Sequence, residues 1–427
     1  MKQALDNTTE YKQTELGLLP KEWEVVRLGE SVLEVKTGDW GKDNNVTEGV
    51  ESYVIRGTDF LNVLRAKFDN IPVRRIQEKS LKLRCLKVGE VLIELSGGSK
   101  DQPTGRILII TQKIINSASK PLCFSNFVKK LHLKPNVDAE FFYLFWQYLY
   151  NKGVTKIYEK RTTGIRNFKL TDFLGNEYIL LPPLSEQKAI AAVLSAIQEA
   201  KEKTEAVITA TKELKKSMMK HLFTYGPVSP KEKDKVELKQ TDIGMIPKEW
   251  EVVRLGDVAE VKYGKATPKD EGKIPVVGSG GIFSYTSMPL LKEPTIIIGR
   301  KGTAGKAWLM LEPCYPSDTT FYLVLKKNID LSFLFSFIIS NPLSGEHAKT
   351  TLPSLQRHEL ENFQIPLPPL PIQQKIASIL SAIDAKIEAE VNKKKALEAL
   401  FKSMLHHLMT GKVRVNHLIN MMIKKEA

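Results

Sequence analysis

A chain of 427 residues is longer than one hydrophobic core ordinarily supports, so two or more domains are expected. Its 42% apolar and 26% charged residues are those of a globular protein, and no run approaches the ~20 apolar residues that span a bilayer. A formal charge of +14, with an isoelectric point near 9.3, favours a polyanionic partner. Cys85, Cys123 and Cys314 are too few and too scattered for a disulfide framework or a zinc site, and no metal ligands are expected. The opening "MKQALDNTTE" lacks the basic-then-apolar pattern of a secretory signal, so a cytoplasmic protein is the plain expectation.

In chain order, a tail (1–15) leads into a first globular unit over 16–182. It opens with "PKEWEVVRLG" at 20–29, ten residues that return at 247–256. Short runs at 53–57, 90–95 and 106–111 are strand-like, with Gly, Pro and Asp between them. "AEFFYLFWQYLY" (139–150) is apolar on every face, which predicts a buried helix and not an exposed base-stacking platform. "PPL" then stops a strand and starts a long helix over 183–226. Steps of three and four place a coiled-coil seam at Ile190, Val193, Ile197, Val207, Leu214 and Met218, with His221 packed at its end. A linker (227–242) precedes a second unit over 243–368, with strands at 294–299 and 320–325 and a buried helix at 331–340. A second long helix covers 369–411, its seam predicted at Ile376, Ile379, Ile383, Leu397, Phe401 and Met404, and a tail (412–427) follows. The middle of this seam is polar, and Ile387 and Val391 lie beside it, placed to take over.

The helices are a repeat as well. "LPPLSEQKAIAAVLSAI" at 181–197 returns as "LPPLPIQQKIASILSAI" at 367–383. The offset between copies falls from 227 positions at the opening segment to 186 here, so the second copy is 41 residues shorter. The ends of each unit are kept while the middle differs, the pattern of one frame presenting two different recognition surfaces. Each helix of roughly 38 residues is about 57 Å long. Each carries a net charge of only +2, so most of the positive excess lies on the units and the tail. That division gives the units the polyanion and leaves the helices to hold them apart.

Four loops rich in Gly and polar or basic residues pair between the units: 36–42 with 262–269, 55–60 with 276–283, 96–106 with 299–307, and 159–170 with 347–360. Their side chains suit phosphates, and Arg, Lys, Asn and Gln also read base edges in the major groove. The candidate contacts in the first unit are Thr37, Trp40, Lys42, Arg56, Thr58, Ser99, Lys100, Arg106, Arg161, Thr163, Arg166 and Lys169. In the second they are Lys265, Thr267, Ser279, Arg300, Lys301, Thr303, Lys306, Lys349, Thr350, Gln356 and Arg357. "GRKGTAGKA" at 299–307 is no nucleotide-binding P-loop, because Ala307 stands where Ser or Thr must hold Mg²⁺ and a strand-like run follows. "NPLS" at 341 lacks the second proline and the aromatic of an amino-methyltransferase signature, and no catalytic residues are assigned.

Variable unit, "LPPL" helix, variable unit, "LPPL" helix: this arrangement resembles the specificity subunit of type I restriction–modification systems, over residues 16–411. Ile372 departs from the first copy's Glu186 in the "EQ" pair. The resemblance implies two α/β (α+β) target recognition domains in pseudo-symmetric repeat, each reading one half of a split double-stranded DNA site. It implies that the helices pair as an antiparallel coiled coil that sets the spacer. A ruler of about 57 Å covers about 17 base pairs, and with the domains inside that span half-site centres are expected roughly one helical turn apart. It also implies two modification subunits and, through them, restriction subunits. S-adenosylmethionine, ATP and Mg²⁺ would sit on those partners, adenine methylation would be theirs, and this chain would bind no cofactor. The alternatives are a coiled-coil scaffold whose basic units bind RNA or protein, and a fused methyltransferase–restriction enzyme.

Overall fold

A computed structural model describes residues 10–43, 45–98, 102–162, 165–326, 328–341, 343 and 354–415. The chain divides into two compact units, residues 1–201 with 396–427 and residues 202–395. Each unit thus holds one globular domain and a portion of both long helices.

In the first unit a four-stranded antiparallel sheet runs in the order Val32–Thr37, Val128–Leu133, Val91–Glu94, Ile107–Ile109. Val91–Glu94 is buried along its whole length, which is why its sequence shows an apolar run where a half-buried strand would alternate. A three-stranded sheet, ordered Leu122–Phe124, Val50–Ile55, Val73–Ile76, contains one parallel pair, between the first two. The repeated strand Glu24–Arg27 pairs with Tyr178–Leu181, so the two ends of the domain close on each other. Helix Ala139–Asn151 begins at Asp138, whose carboxylate accepts the Phe141 N–H at 2.9 Å. Phe141, Phe142 and Trp146 are fully buried, and the Trp146 indole donates to the Gly105 carbonyl at 2.8 Å. The aromatic run is core, as its composition predicts.

The second unit repeats this order with Ala259–Tyr263, Thr320–Leu325, Thr295–Gly299 and Ala307–Met310. Its three-stranded sheet is Gly281–Thr286, Ile274–Gly278, Tyr315–Pro316, again with one parallel pair, and Glu251–Arg254 pairs with Gln364–Leu367. Part of the shortening lies in the hairpin: Gly278 pairs directly with Gly281, whereas helix Phe60–Leu64 intervenes between Val50–Ile55 and Val73–Ile76. Helices Glu78–Arg84 and Gln112–Ser117 also have no counterpart among the described residues of the second unit.

The repeated glutamine of the "LPPL" helices is a latch. The Gln187 amide oxygen accepts the Asp138 N–H at 2.8 Å, and its nitrogen donates to the carbonyls of Asn136 at 3.0 Å and Pro182 at 2.8 Å. Gln373 makes the same three bonds, to Asp330, Asn328 and Pro368 at 2.8, 3.1 and 2.8 Å. Both side chains are buried, so the start of each long helix is tied to the cap of the aromatic helix in its unit. In the first unit only, Glu186 adds an ionic closure, accepting from the Trp23 indole at 3.0 Å and from Arg414 at 2.5 and 2.8 Å. Ile372 occupies that place in the other copy. Each long helix ends at a left-handed glycine, Gly226 (φ +77°) and Gly411 (φ +66°), the usual cap where a side chain would be strained.

The long helices are Leu184–Tyr225 and Leu370–Met409. In the second unit Lys215 pairs with Asp384 at 2.6 Å and Lys394 with Glu205 at 3.2 Å. Ten positions forward on one helix match ten back on the other, so the pairing is antiparallel. The seam differs in register from the sequence-based one at alternate positions. Leu194 and Ile208 are buried, whereas Val207 and Leu214 are 41% and 52% exposed, and Val193 only half-buried. Ile190, Ile197 and Met218 keep their place, with Lys201, Thr204, Thr211, Lys215 and Leu222 filling the steps between. On the second helix Ile376 and Leu380 are buried, Ile379, Ile383, Ile387, Leu397, Phe401 and Met404 are half-buried, and Lys386 is exposed. The physical reason is that apolar residues flank the true seam at neighbouring positions. Spacing alone therefore allows two registers, and packing chooses the one that buries Leu194, Ile208 and Leu380.

Candidate nucleic-acid interface

Three candidate residues of the first unit gather where the parallel strands end. Val50–Ile55 passes into Arg56, Gly57 and Thr58, and beside it Leu122–Phe124 passes into Ser125, Asn126 and Phe127. Together with Trp40 and Ser96 they line a depression of about 420 Å³. Arg56 donates from Nε and Nη2 to the two oxygens of Asp59, each at 2.9 Å, and its backbone N–H adds a third bond at 2.9 Å. The Asp59 side chain is 5% exposed and that of Arg56 43%. Trp40 is half-buried beneath the Arg74 guanidinium, 5.0 Å from its ring centre. Burial would raise the neighbouring Asp39 carboxyl, but hydrogen bonds from Ser80 and the Gly41 N–H, with the Arg84 charge, hold it below the usual carboxylate range. Those bonds pin the loop that carries Trp40.

Behind this depression sits an ion pair. A Cβ added at Gly57 would fall 2.5 Å from Glu94 Oε1, and buried Glu94 is gripped by Arg106 at 2.8 and 2.5 Å. Arg106, predicted at the DNA surface, is instead committed to this pair with its side chain 15% exposed. Arg166 is likewise committed, to Glu159 at 3.2 Å, both side chains largely buried. A guanidinium from a basic loop is drawn inside because a buried carboxylate requires a partner, and position in a loop does not reveal that carboxylate. Thr37 takes a bond from Lys129, while Lys42 and Lys169 remain exposed beside Glu48 and Asp172 at 3.8 and 3.4 Å. Arg161 lies on the strand Glu159–Thr162. Ser99, Lys100, Thr163, Lys349 and Thr350 fall outside the described residues.

The second unit has a depression of about 360 Å³ in the same place, lined by Thr267, Gly278, Ser279, Phe283, Asp318 and Thr319 among others. The Ser125 N–H donates to the Ile55 carbonyl, and Ser317 N–H to that of Val277, both at 2.9 Å. By this register Gly278 stands where Arg56 does, and Asp318 where Asn126 does. Ser279 donates its N–H to Thr319 Oγ1 at 3.2 Å. Arg300 stacks 5.2 Å from the Tyr263 ring centre and 6.0 Å from that of Phe321, and Lys306 lies 5.3 Å from that of Trp308. Lys301, Thr303, Lys265, Gln356 and Arg357 are exposed, Arg357 pairing with Glu361 at 2.7 Å. Phe127, at 57% exposure, and Phe283, at 58%, stand at the two depressions and were not among the candidates, nor were Asn126 and Asp318. Matching "FSN" (124–126) to "PSD" (316–318) as the turns after equivalent strands would have found Asn126 and Asp318. Among the described residues no group of three or more His, Cys, Asp or Glu could hold a metal, and no helix is long and apolar enough to cross a membrane.

Comparison with known proteins gives a consistent result. The family described as "Type I restriction modification DNA specificity domain" matches residues 20–213 and 247–399. The type I restriction enzyme MjaVIII specificity subunit of Methanocaldococcus jannaschii is 30% identical over 436 residues, covering 94% of this chain and 95% of that protein. Among solved structures, the S subunit of a type I restriction–modification system from M. genitalium aligns with a TM-score of 0.62 at 17% identity, over 95% of this chain and 98% of that one. A chain from a solved type I R-M system study aligns at 0.52 and 18% identity, over 92% and 99%.

Proposed function

We propose a function from one premise: the chain belongs to the type I restriction–modification DNA specificity family, as a non-catalytic DNA-recognition subunit. In that role it binds DNA and assembles with methylase and restriction subunits. Each unit reads one half of a split, asymmetric site. The observation that carries this is the pair of depressions at equivalent strand ends, built on one frame and lined by different residues: Arg56 and Asn126 in one, Gly278 and Asp318 in the other. One frame with two chemistries suits two unlike half-sites. The paired helices, 42 and 40 residues long and so about 60 Å each, fix the unread spacer. The repeated segments serve two identical modification subunits, which supply S-adenosylmethionine chemistry on adenine, while ATP and Mg²⁺ are used by the restriction subunits.

The assembled complex with its modification subunits, offered a pool of randomised duplexes, should enrich sequences with two fixed clusters at one constant gap. Enrichment of a single uninterrupted cluster, or no preference for duplex over RNA, would overturn the reading.

A further inference from the structure

We propose that Arg56, locked by Asp59, is a specificity-determining residue that reads the major-groove edge of a guanine in one half-site. This rests on the DNA-recognition reading above and assigns chemistry to one of its sites. Asp59 occupies the Nε–Nη2 side of the guanidinium. That leaves the other edge, Nη1 with the second N–H of Nη2: Nη1 has no partner among the described residues, and Arg56 lines the depression. Two parallel N–H groups on a fixed plane match guanine O6 and N7, the one base edge with two adjacent acceptors in the major groove.

A phosphate is the poorer ligand here. The buried Asp59 carboxylate neutralises the Arg56 charge, which weakens its Coulomb attraction for an anionic phosphate more than its hydrogen bonds to a neutral base edge. The surroundings are built for a ligand as well. The Ser125 hydroxyl is fully buried in the lining and meets no hydrogen-bond partner. Thr58 and Asn126 present further polar groups, and exposed Phe127 offers an apolar face, of the kind that meets a thymine methyl. Arg106 acts at one remove: through Glu94 it holds the floor on which Gly57 rests, which makes it a positioning residue. The second unit has Gly278 at the matching position, so this guanine contact belongs to one half-site only.

The test uses the full chain assembled with its modification subunits. Methylated motifs are mapped in cells carrying the wild-type chain, Arg56→Ala or Arg56→Lys, and binding of the purified complexes is measured on the wild-type site with 7-deazaguanine, which lacks the N7 acceptor, at each guanine in turn. A wild-type chain that directs no split motif would count against the DNA-recognition reading itself. Given a split motif, Arg56→Ala should relax one position, a guanine, in one half-site and leave the other half intact, and Arg56→Lys, which keeps donors but loses the planar fork, should relax the same position less. At that position 7-deazaguanine should weaken wild-type binding roughly 10-fold and leave Arg56→Ala binding unchanged. A half-site pair without guanine, a relaxed position that is not guanine, or equal sensitivity of wild type and Arg56→Ala to 7-deazaguanine would overturn the proposal. So would a variant with unaltered sequence preference and a flatter salt dependence, which marks a phosphate contact. If Arg56→Ala abolishes all methylation by unfolding, the 7-deazaguanine series on the wild type still decides, with the position that Arg56→Lys partly relaxes required to coincide with the guanine that series marks.

Discussion

Replacing Gln187 by alanine should loosen the first unit and leave the second unchanged. The side chain is 1% exposed and serves three backbone groups: the Asp138 N–H and the carbonyls of Asn136 and Pro182. Alanine orphans all three. At about 1 kcal/mol each, the low end for a buried unsatisfied group, the loss is about 3 kcal/mol, roughly a 100-fold increase in local opening. Amide hydrogen exchange on the full chain reads this directly. Exchange in Ala139–Asn151 and the start of Leu184–Tyr225 should accelerate by about two orders of magnitude, while Leu331–Ser340, held by the equivalent Gln373, stays as it was. Acceleration below about fivefold, or loosening of both aromatic helices together, would refute the latch.

The seam register predicts that Ile208→Ala costs about 2 kcal/mol in thermal or denaturant unfolding, whereas Val207→Ala stays within about 0.5 kcal/mol. Equal costs would return the seam to the register read from spacing. Burial pushes the Cys123 thiol up to about 12 and Cys314 to about 11, so both remain protonated at pH 8. Iodoacetamide should therefore label only half-buried Cys85 in the native chain, as read by peptide mass, and early labelling of Cys123 would contradict the packing. Bonds from the Ser287 side chain and N–H and from Thr286 hold the Asp270 carboxyl at about 2, below the ~3.9 of an unfolded chain. A depressed folded value stabilises above the unfolded one and is lost on acidification, so the anchor of Gly281–Thr286 should fail as pH falls from about 4 to 2. An acid-active protease should then cut there in the wild type with a pH onset that Asp270→Asn lacks; identical onsets would sink the assignment.

Much of the frame was legible because it repeats. Two copies of "PKEWEVVRLG" and of the "LPPL" helix announce the duplication, and the aromatic runs at 139–150 and 331–340 read as core because no face is polar. The seam was legible in period but not in register, since Val193 beside Leu194, and Val207 beside Ile208, satisfy the same spacing. The site was the least legible. A basic loop residue looks alike in sequence whether it faces solvent or a buried carboxylate, and only tertiary structure distinguishes Arg56 on Asp59 from Arg106 on Glu94. Phe127 and Phe283 were missed because an exposed aromatic has no local signature that separates it from a core one.

The central claim, one unlike half-site per unit at a fixed spacing, is tested most directly by mapping methylated bases across the genome of cells that carry this chain and its modification partner, beside cells with the partner alone. The expected result is one new motif whose two dissimilar halves flank a constant number of unread bases. With the partner expressed and bound, an absent motif, identical halves or a variable gap would contradict it.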